Sequence, residues 1–182
     1  MGGLGANQSS IVSPAECQFV SFLLGQERFG VDIRKVKEIT PEVAIMPVPR
    51  APCHVRGLVN VRGQVVLVLD VARMLGRQQT REGAHQIIII KTAEELKHVA
   101  GLDPSVDQPA FGDKPLGILV DELGDVVQVP VGDVETTPPH ISQDTSPFFA
   151  GVIQHSNGLL VVLNLSHLLA FGGDGGKYGD ME

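Results

Sequence analysis

The chain contains 182 residues, of which 43% are hydrophobic, and it carries a formal net charge of −7 at pH 7. This length fits one domain with a buried core. Because the net charge is negative and the basic residues are scattered, the sequence predicts no nucleic-acid partner. The two cysteines, Cys17 and Cys53, are too few and too far apart for a disulfide framework or a zinc site.

The two ends of the chain and its apolar runs predict a cytoplasmic protein. Residues 1–15 lack the basic start and apolar centre of a signal peptide, and the apolar runs at 87–90 and 159–163 are too short to span a bilayer. We therefore expect disordered tails at 1–15 and 171–182, an ordered domain at 16–170 and no direct membrane insertion.

Short apolar runs separated by Gly and Pro predict a chain made mostly of strands. We expect strands outside the central segment at 17–24, 28–31, 85–91, 116–122, 126–129, 148–154 and 159–163. A helical turn leading into a strand is expected at 32–39. The polar stretch 92–114, with a short helix at 93–98, separates two strands that would otherwise form a hairpin, and it predicts a surface insertion loop spanning 92–115.

The central segment, 56–75, predicts a strand, a tight turn, a second strand and a short helix. The strands 58–61 and 64–69 are separated only by Arg62 and Gly63, and Gly63 supplies the positive φ that a two-residue turn needs. Arg62 is then left at or beside the tip with its guanidinium free to reach outward. Asp70 is expected to cap the helix 71–75. From these residues alone, Arg62 is either a solvated turn residue or an anchor for a partner.

The sequence pattern of the central segment is repeated near the C-terminus. Residues 65–75 align with 159–169, which places Asp70 on Asn164, and in the same register Gly57 falls on Gly151. Upstream, Phe29-Gly30-Val31 is similar to Leu116-Gly117-Ile118. The repeat predicts two related β halves, roughly 16–82 and 83–170, that form two small barrels or sandwiches packed together.

No residue pattern indicates catalysis, a metal site or a cofactor. The sequence lacks nucleophile elbows, phosphate-binding glycine loops and paired cysteines. Cys53 and His54 are adjacent, so on an extended chain they point to opposite faces. They still define the alternative hypothesis, a small-ligand-binding or hydrolytic β-barrel. The carboxylates of Asp121 and Glu122 are expected to be solvated or capping.

Several motifs together resemble the CheW-like family of chemotaxis coupling proteins, over about residues 16–170. In the first half they are Phe29-Gly30-Val31-Asp32-Ile33, Val36-x-Glu38-Ile39, Pro47, Pro52, the run Arg56-Gly57-Leu58-Val59-Asn60-Val61-Arg62-Gly63 and Val68-x-Asp70. In the second half they are Gly117-Ile118-Leu119-Val120-Asp121-Glu122, Gly151-Val152-Ile153 and Leu163-Asn164.

The resemblance implies a mostly β fold with short helices, in which two five-stranded SH3-like β-barrel subdomains pack around a shared core. It implies a non-enzymatic adaptor, without cofactors, that is recruited to membrane-associated receptor arrays. The implied partners are the regulatory domain of the histidine kinase CheA and the cytoplasmic tip of methyl-accepting chemotaxis proteins. Asn60 and Arg62 would bind the receptor, whereas Ile33, Val36, Glu38 and Gly57 would bind the kinase.

Overall fold

A computed structural model describes residues 16–41, 44–77, 85–102, 114–135, 146–155 and 158–173. Its strands are β1 Glu16–Leu24, β2 Glu27–Asp32, β3 Val36–Pro41, β4 Val55–Val61, β5 Gln64–Asp70, β6 Gln86–Ile90, β7 Leu116–Val120, β8 Glu122–Pro130, β9 Val134–Glu135, β10 Phe149–His155 and β11 Gly158–Leu163. Its helices are α1 Val71–Met74, α2 Ala93–Leu96 and α3 Leu165–Gly173, with 3₁₀ turns at Ile33–Lys35, Val131–Asp133 and Ser146–Phe148.

The strands form two sheets, which confirms the predicted mostly β fold with short helices. The first sheet has six strands in the order β8-β1-β2-β11-β10-β9, and the second has five in the order β3-β6-β7-β5-β4. The sixth strand of the first sheet is the short β9, which pairs with β10 through two residues. In the second sheet a single bridge between Met46 and Leu58 takes the same place beside β4.

The repeat seen in the sequence is present in the strand pairing. In the second sheet, β5 runs parallel to β7 with Val68 opposite Gly117. In the first sheet, β11 runs parallel to β2 with Val162 opposite Gly30. The sequence alignment had matched these same segments. Asp70 and Asn164 also cap equivalent helices, because each side chain accepts a hydrogen bond from the amide three residues later.

The predicted boundary between 16–82 and 83–170 does not coincide with the two sheets. The hairpin β1–β2 joins the sheet formed by β8 to β11, whereas the pair β6–β7 joins β3 to β5. The two repeats have therefore exchanged their first strand pairs. A repeat in sequence tells which segments are alike, but it does not tell which copy each segment pairs with.

The chain passes between the sheets at the 3₁₀ turn Ile33–Lys35 and again at Asp121. Asp121 was expected to be solvated or capping, but it is buried, with 5% of its surface exposed. Its Oδ2 accepts a hydrogen bond of 2.6 Å from the Gly25 amide, and its Oδ1 lies 3.6 Å from Nε2 of His85. The carboxylate thus fastens the second crossing to the β1–β2 turn.

One core is shared by both sheets, and each sheet encloses a smaller core of its own. The shared core includes Phe22 and Phe29 from the first sheet and Leu69 from the second. Along β6, Ile88 and Ile90 belong to the shared core, whereas Ile87 and Ile89 belong to the core of the second sheet. This alternation confirms that the run of isoleucines is buried on both faces.

Some predictions fall partly outside the described residues. The predicted segments outside them are the tail at 1–15, residues 174–182 of the other tail, residues 78–84 of the linker and residues 103–113 of the insertion. Within the described ranges, no helix has the length and apolar character needed to cross a membrane.

Candidate functional site

The tip of the β4–β5 hairpin is a tight turn that holds Arg62 away from the sheet. Arg62 and Gly63 both have positive φ, +52° and +84°, as a type I′ turn requires. The side-chain oxygen of Asn60 accepts a hydrogen bond of 2.9 Å from the Gly63 amide. Asn60, predicted as a receptor residue, therefore also fixes the turn that presents Arg62.

Arg62 is exposed and paired. Its guanidinium Nη2 lies 3.1 Å from Oε2 of Glu38, while 83% of the Arg62 side chain remains exposed. The prediction that this guanidinium reaches outward without a partner is therefore incomplete. Because Glu38 lies on β3 and Arg62 follows β4, the pair joins the two edge strands of the second sheet. Residues predicted to serve two different partners are in direct contact.

A β-bulge brings β3 towards the hairpin. Val36 pairs with Ile90 and Glu38 with Ile89, so Lys37 is the extra residue between them. A bulge increases the local twist of a strand. Nζ of Lys37 lies 3.5 Å from Oε1 of Gln64, the first residue after the turn. The twist thus allows two consecutive residues of β3 to contact the β4–β5 hairpin.

We call Glu38, Asn60, Arg62 and Val65 the hairpin site. Val65 is the cross-strand partner of Asn60 on β5, and 59% of its surface is exposed. An arginine with forked donors beside an exposed apolar side chain is suited to contact with a protein surface. The four side chains of the site thus combine a cation, a carboxylate, an amide and an exposed apolar group.

The other predicted kinase residues lie next to the 3₁₀ turn. Ile33 and Val36 are half-buried and pack against the shared core. The turn begins at Asp32, whose side chain accepts a hydrogen bond of 2.9 Å from the Arg34 amide. The core therefore fixes one side of Ile33 and Val36, and their remaining surface is available to a partner.

Gly57 is buried, and the structure gives it a packing role. Its φ is +150°, and a Cβ at this position would collide with the carbonyl oxygen of Met46 and lie 2.5 Å from Cγ2 of Ile45. Gly151 is its counterpart, where a Cβ would lie 2.7 Å from the carbonyl oxygen of Glu135. Gly57 thus lets the segment at Met46 cover β4. A substitution of Gly57 would affect a binding partner indirectly, by displacing that segment.

Cys53 and His54 form the turn before β4. Cys53 is exposed, and burial lowers the pKa of His54. Their carbonyl groups hold α1 in place, because Cys53 accepts from Nη1 of Arg73 and His54 accepts from the Asp70 amide. Over the ranges with described coordinates, no group of three His, Cys, Asp or Glu residues could hold a metal ion. The alternative hypothesis built on this turn stays a prediction.

Sequence reasoning missed the contacts of Lys37. Besides Gln64, its Nζ contacts Oε1 of Glu95 in α2 at 2.6 Å. The available signal was the spacing of Thr92 and Glu95, which is that of a helix capping box. The structure contains this capping box, and α2 starts at Ala93, the residue where the sequence predicts the start of a short helix.

Comparisons with known proteins agree with this architecture. The family model described as "CheW-like domain" matches residues 18–171. A chemotaxis protein CheW of Treponema pallidum is 27% identical over 163 residues, covering 87% of this chain and 85% of the relative. The protein FrzA of Myxococcus xanthus is 27% identical over 157 residues, covering 85% and 86%.

A solved structure shares the fold. The crystal structure of the scaffolding protein TtCheW from Thermoanaerobacter tengcongensis matches with a TM-score of 0.71 and 24% identity, covering 92% of this chain and 96% of that one. This likeness confirms the predicted fold with two SH3-like subdomains. The family model spans nearly all of the described residues, and the relatives align over most of their own lengths. The chain belongs to the CheW-like family.

Proposed function

We propose that this chain is a non-enzymatic adaptor that couples methyl-accepting chemoreceptors to the histidine kinase CheA. Membership of the CheW-like family supports a scaffolding role in chemotaxis. The names of the relatives, chemotaxis protein CheW among them, support the same pathway. In this role the chain is cytoplasmic and is recruited to receptor arrays at the membrane.

The hairpin site is the observation that carries the proposal for the receptor. Arg62 occupies a left-handed conformation that long side chains rarely adopt, in a turn where Asn or Gly would fit better. Such a conformation costs about 1 to 3 kcal/mol and is found mainly at functional sites. Asn or Gly would suit a turn selected for stability alone, so an exposed arginine at this tip supports a role for its side chain in binding.

The kinase residues support a second contact on the same sheet. Ile33 and Val36 offer apolar surface beside the 3₁₀ turn, and Glu38 continues this line into β3. Their partner in the proposal is the regulatory domain of CheA. Gly57 contributes indirectly, through the segment at Met46 that it allows to pack.

The ion pair between Glu38 and Arg62 supports a link between the two proposed contacts, because it joins a residue of one to a residue of the other. A receptor bound at the hairpin and a kinase bound along β3 would each influence the same pair of edge strands. Binding of one partner can then bias the other through a coupling free energy, which is reciprocal. In an array, many such contacts tolerate modest individual affinities.

Calorimetric titration tests the kinase contact. The titrant is the isolated regulatory domain of the CheA from the same organism, added to the wild-type chain and to Val36→Asp. We expect a dissociation constant in the micromolar range or below for the wild type, and weaker binding for the variant with an unchanged circular dichroism spectrum. Absence of binding to any such kinase would refute the coupling role.

A second titration tests the receptor contact with a fragment of the chemoreceptor tip. Arg62→Glu should weaken this binding while the fold stays intact. Arg56→Glu is the matched control, because Arg56 is an exposed arginine at the far end of the same strand. Equal affinity of Arg62→Glu and wild type would remove the receptor role from the hairpin site.

A further inference from the structure

A short segment after β6 is fastened to the turn and strand that carry Ile33, Val36 and Glu38. We call residues 92–101 the insertion arm; it contains α2. Nζ of Lys37 contacts Oε1 of Glu95 at 2.6 Å, and Nη1 of Arg34 donates to the carbonyl oxygen of Gly101 at 2.8 Å. The arm is thus tied at two points, one on the 3₁₀ turn and one on β3.

Glu95 serves the arm and the strand at once. Its Oε2 accepts a hydrogen bond of 2.8 Å from the Thr92 amide, and its own amide donates to Oγ1 of Thr92 at 3.3 Å. These two bonds close the capping box that begins α2. The other oxygen, Oε1, contacts Lys37. The residue that starts the helix therefore also attaches it to β3.

Arg34 is held in place for its contact with the arm. Its Nε and Nη2 donate to the carboxylate of Asp32 in a forked arrangement, which leaves Nη1 for Gly101. Gly101 has a φ of +77°, and a Cβ there would lie 3.1 Å from that Nη1. Just before the arm, Lys91 donates from Nζ to the Arg34 carbonyl and from its amide to the Lys35 carbonyl.

Tied residues and candidate kinase residues are neighbours along 33–38. Arg34, Lys35 and Lys37 contact the arm or Lys91, and the candidate kinase residues Ile33, Val36 and Glu38 each lie directly beside one of them in sequence. This stretch needs such support, because β3 is an edge strand with a bulge and, among the described strands, pairs with β6 alone. The arm supplies contacts that a second neighbouring strand would otherwise provide.

We propose that the insertion arm is a clamp that fixes the 3₁₀ turn and β3 in the geometry that binds the kinase regulatory domain, with Arg34 and Lys37 as its positioning residues. This inference rests on the proposed function. In this proposal the arm does not contact the kinase. It affects kinase binding only by holding β3 in position. A chain with the arm released should keep its fold and lose affinity.

Charge reversal tests the clamp. Lys37→Glu and Glu95→Lys each break the contact, and the double variant Lys37→Glu with Glu95→Lys restores it with opposite polarity. In titrations with the CheA regulatory domain, we expect each single variant to lose about threefold to tenfold in affinity. The double variant should bind more tightly than Glu95→Lys, because both lack the capping box and only the double variant has the ion pair. Arg34→Gln, which removes the bond to Gly101, should also weaken binding.

The control is a second ion pair on the same helix. Nζ of Lys97 contacts Oε2 of Glu94 at 2.7 Å, and both side chains are more than half exposed. Because this pair does not touch β3, Glu94→Lys should leave kinase affinity unchanged. Hydrogen exchange of the free chain supplies an independent measurement: amides along β3 should exchange faster in the single reversals and recover in the double variant.

The outcomes separate this inference from the proposed function. If the wild type binds no kinase regulatory domain, the proposed function fails, and the clamp fails with it. If the wild type binds and the single reversals bind equally well, only the clamp is refuted. A double variant that binds no more tightly than Glu95→Lys, or unchanged exchange along β3, would refute it as well.

Discussion

The guanidinium of Arg62 and the carboxylate of Glu38, 3.1 Å apart, join the tip of a hairpin to the opposite edge strand of the same sheet. In the proposed function, one residue belongs to the receptor contact and the other to the kinase contact. Replacing Arg62 therefore removes a side chain from the receptor contact and also leaves Glu38, in the kinase contact, without its ion-pair partner. Replacing Glu38 has the converse effect. Their effects on the two binding partners should not be independent.

Replacing Arg62 by Asn should separate binding from stability. Asn adopts the left-handed conformation more readily than Arg, and Asn-Gly is the preferred sequence for this turn. The lost ion pair is largely exposed and contributes about 0 to 1 kcal/mol. Urea unfolding should therefore show a free energy of unfolding equal to the wild type or up to about 1 kcal/mol higher. Affinity for the receptor tip should fall; a stabilised variant with full affinity would show that the arginine is a turn residue only.

Gly57→Ala should destabilise the fold by about 2 kcal/mol or more. The added Cβ meets the Met46 carbonyl and the Ile45 side chain, in addition to the strain of a positive φ. Gly63→Ala is the comparison, because Gly63 also has positive φ but no atom lies within 4 Å of its added Cβ. That variant should lose only about 1 kcal/mol. Equal losses in urea unfolding would mean that the packing at Met46 does not matter.

Neither half of the chain should fold alone. A fragment of residues 1–82 contains β1 and β2 but lacks every strand with which they form the first sheet, and a fragment of residues 83–182 lacks β3 to β5. Each should give the far-ultraviolet circular dichroism spectrum of an unfolded chain. Mixing the two fragments should restore a β spectrum with a cooperative thermal transition. A stable, cooperatively unfolding single fragment would contradict the exchange of strand pairs.

The attachment of α2 should weaken in acid. Burial alone would raise the pKa of Glu95, but the bonds from Lys37 and the Thr92 amide outweigh it and lower the pKa below its usual value. A carboxylate with a lowered pKa in the folded state contributes stability above its unfolded pKa and loses it as the pH falls through the folded pKa. Exchange of the Thr92 amide should therefore accelerate, relative to intrinsic exchange, as the pH falls through this range. Glu95→Gln should show no such acceleration.

Local features of the fold could be predicted from the sequence because short-range chemistry determines them. The Arg62-Gly63 turn, the cap at Asp70 and the repeat that relates Val68 to Val162 are all confirmed. The exchange of strand pairs could not be predicted, since the parallel pairing of β5 with β7 joins segments separated by the whole insertion. Equivalent copies leave two pairings open, and only the packing of the complete chain selects one.

The candidate site also contains features that the sequence predicts and features that it does not. Arg62 and Asn60 were identified from a turn motif, and they lie at the tip as expected. The contact of Arg62 with β3 depends on the bulge at Lys37, which the sequence does not reveal, so the ion pair between Glu38 and Arg62 was not predicted. Gly57 was grouped with the kinase residues because it lies within the motif, whereas its buried position reflects the approach of Met46.

The exchanged strand pairs also determine how this molecule can transmit force. Each barrel is completed by strands from the other repeat, and both barrels pack on one shared core, so a hinge between them could open only by exposing that core to water. The two crossings, at Ile33–Lys35 and Asp121, are themselves held by side-chain bonds. In the proposed role, a receptor movement would therefore reach the kinase as a displacement of the entire adaptor, in the manner of a stiff lever, rather than as a bend within it.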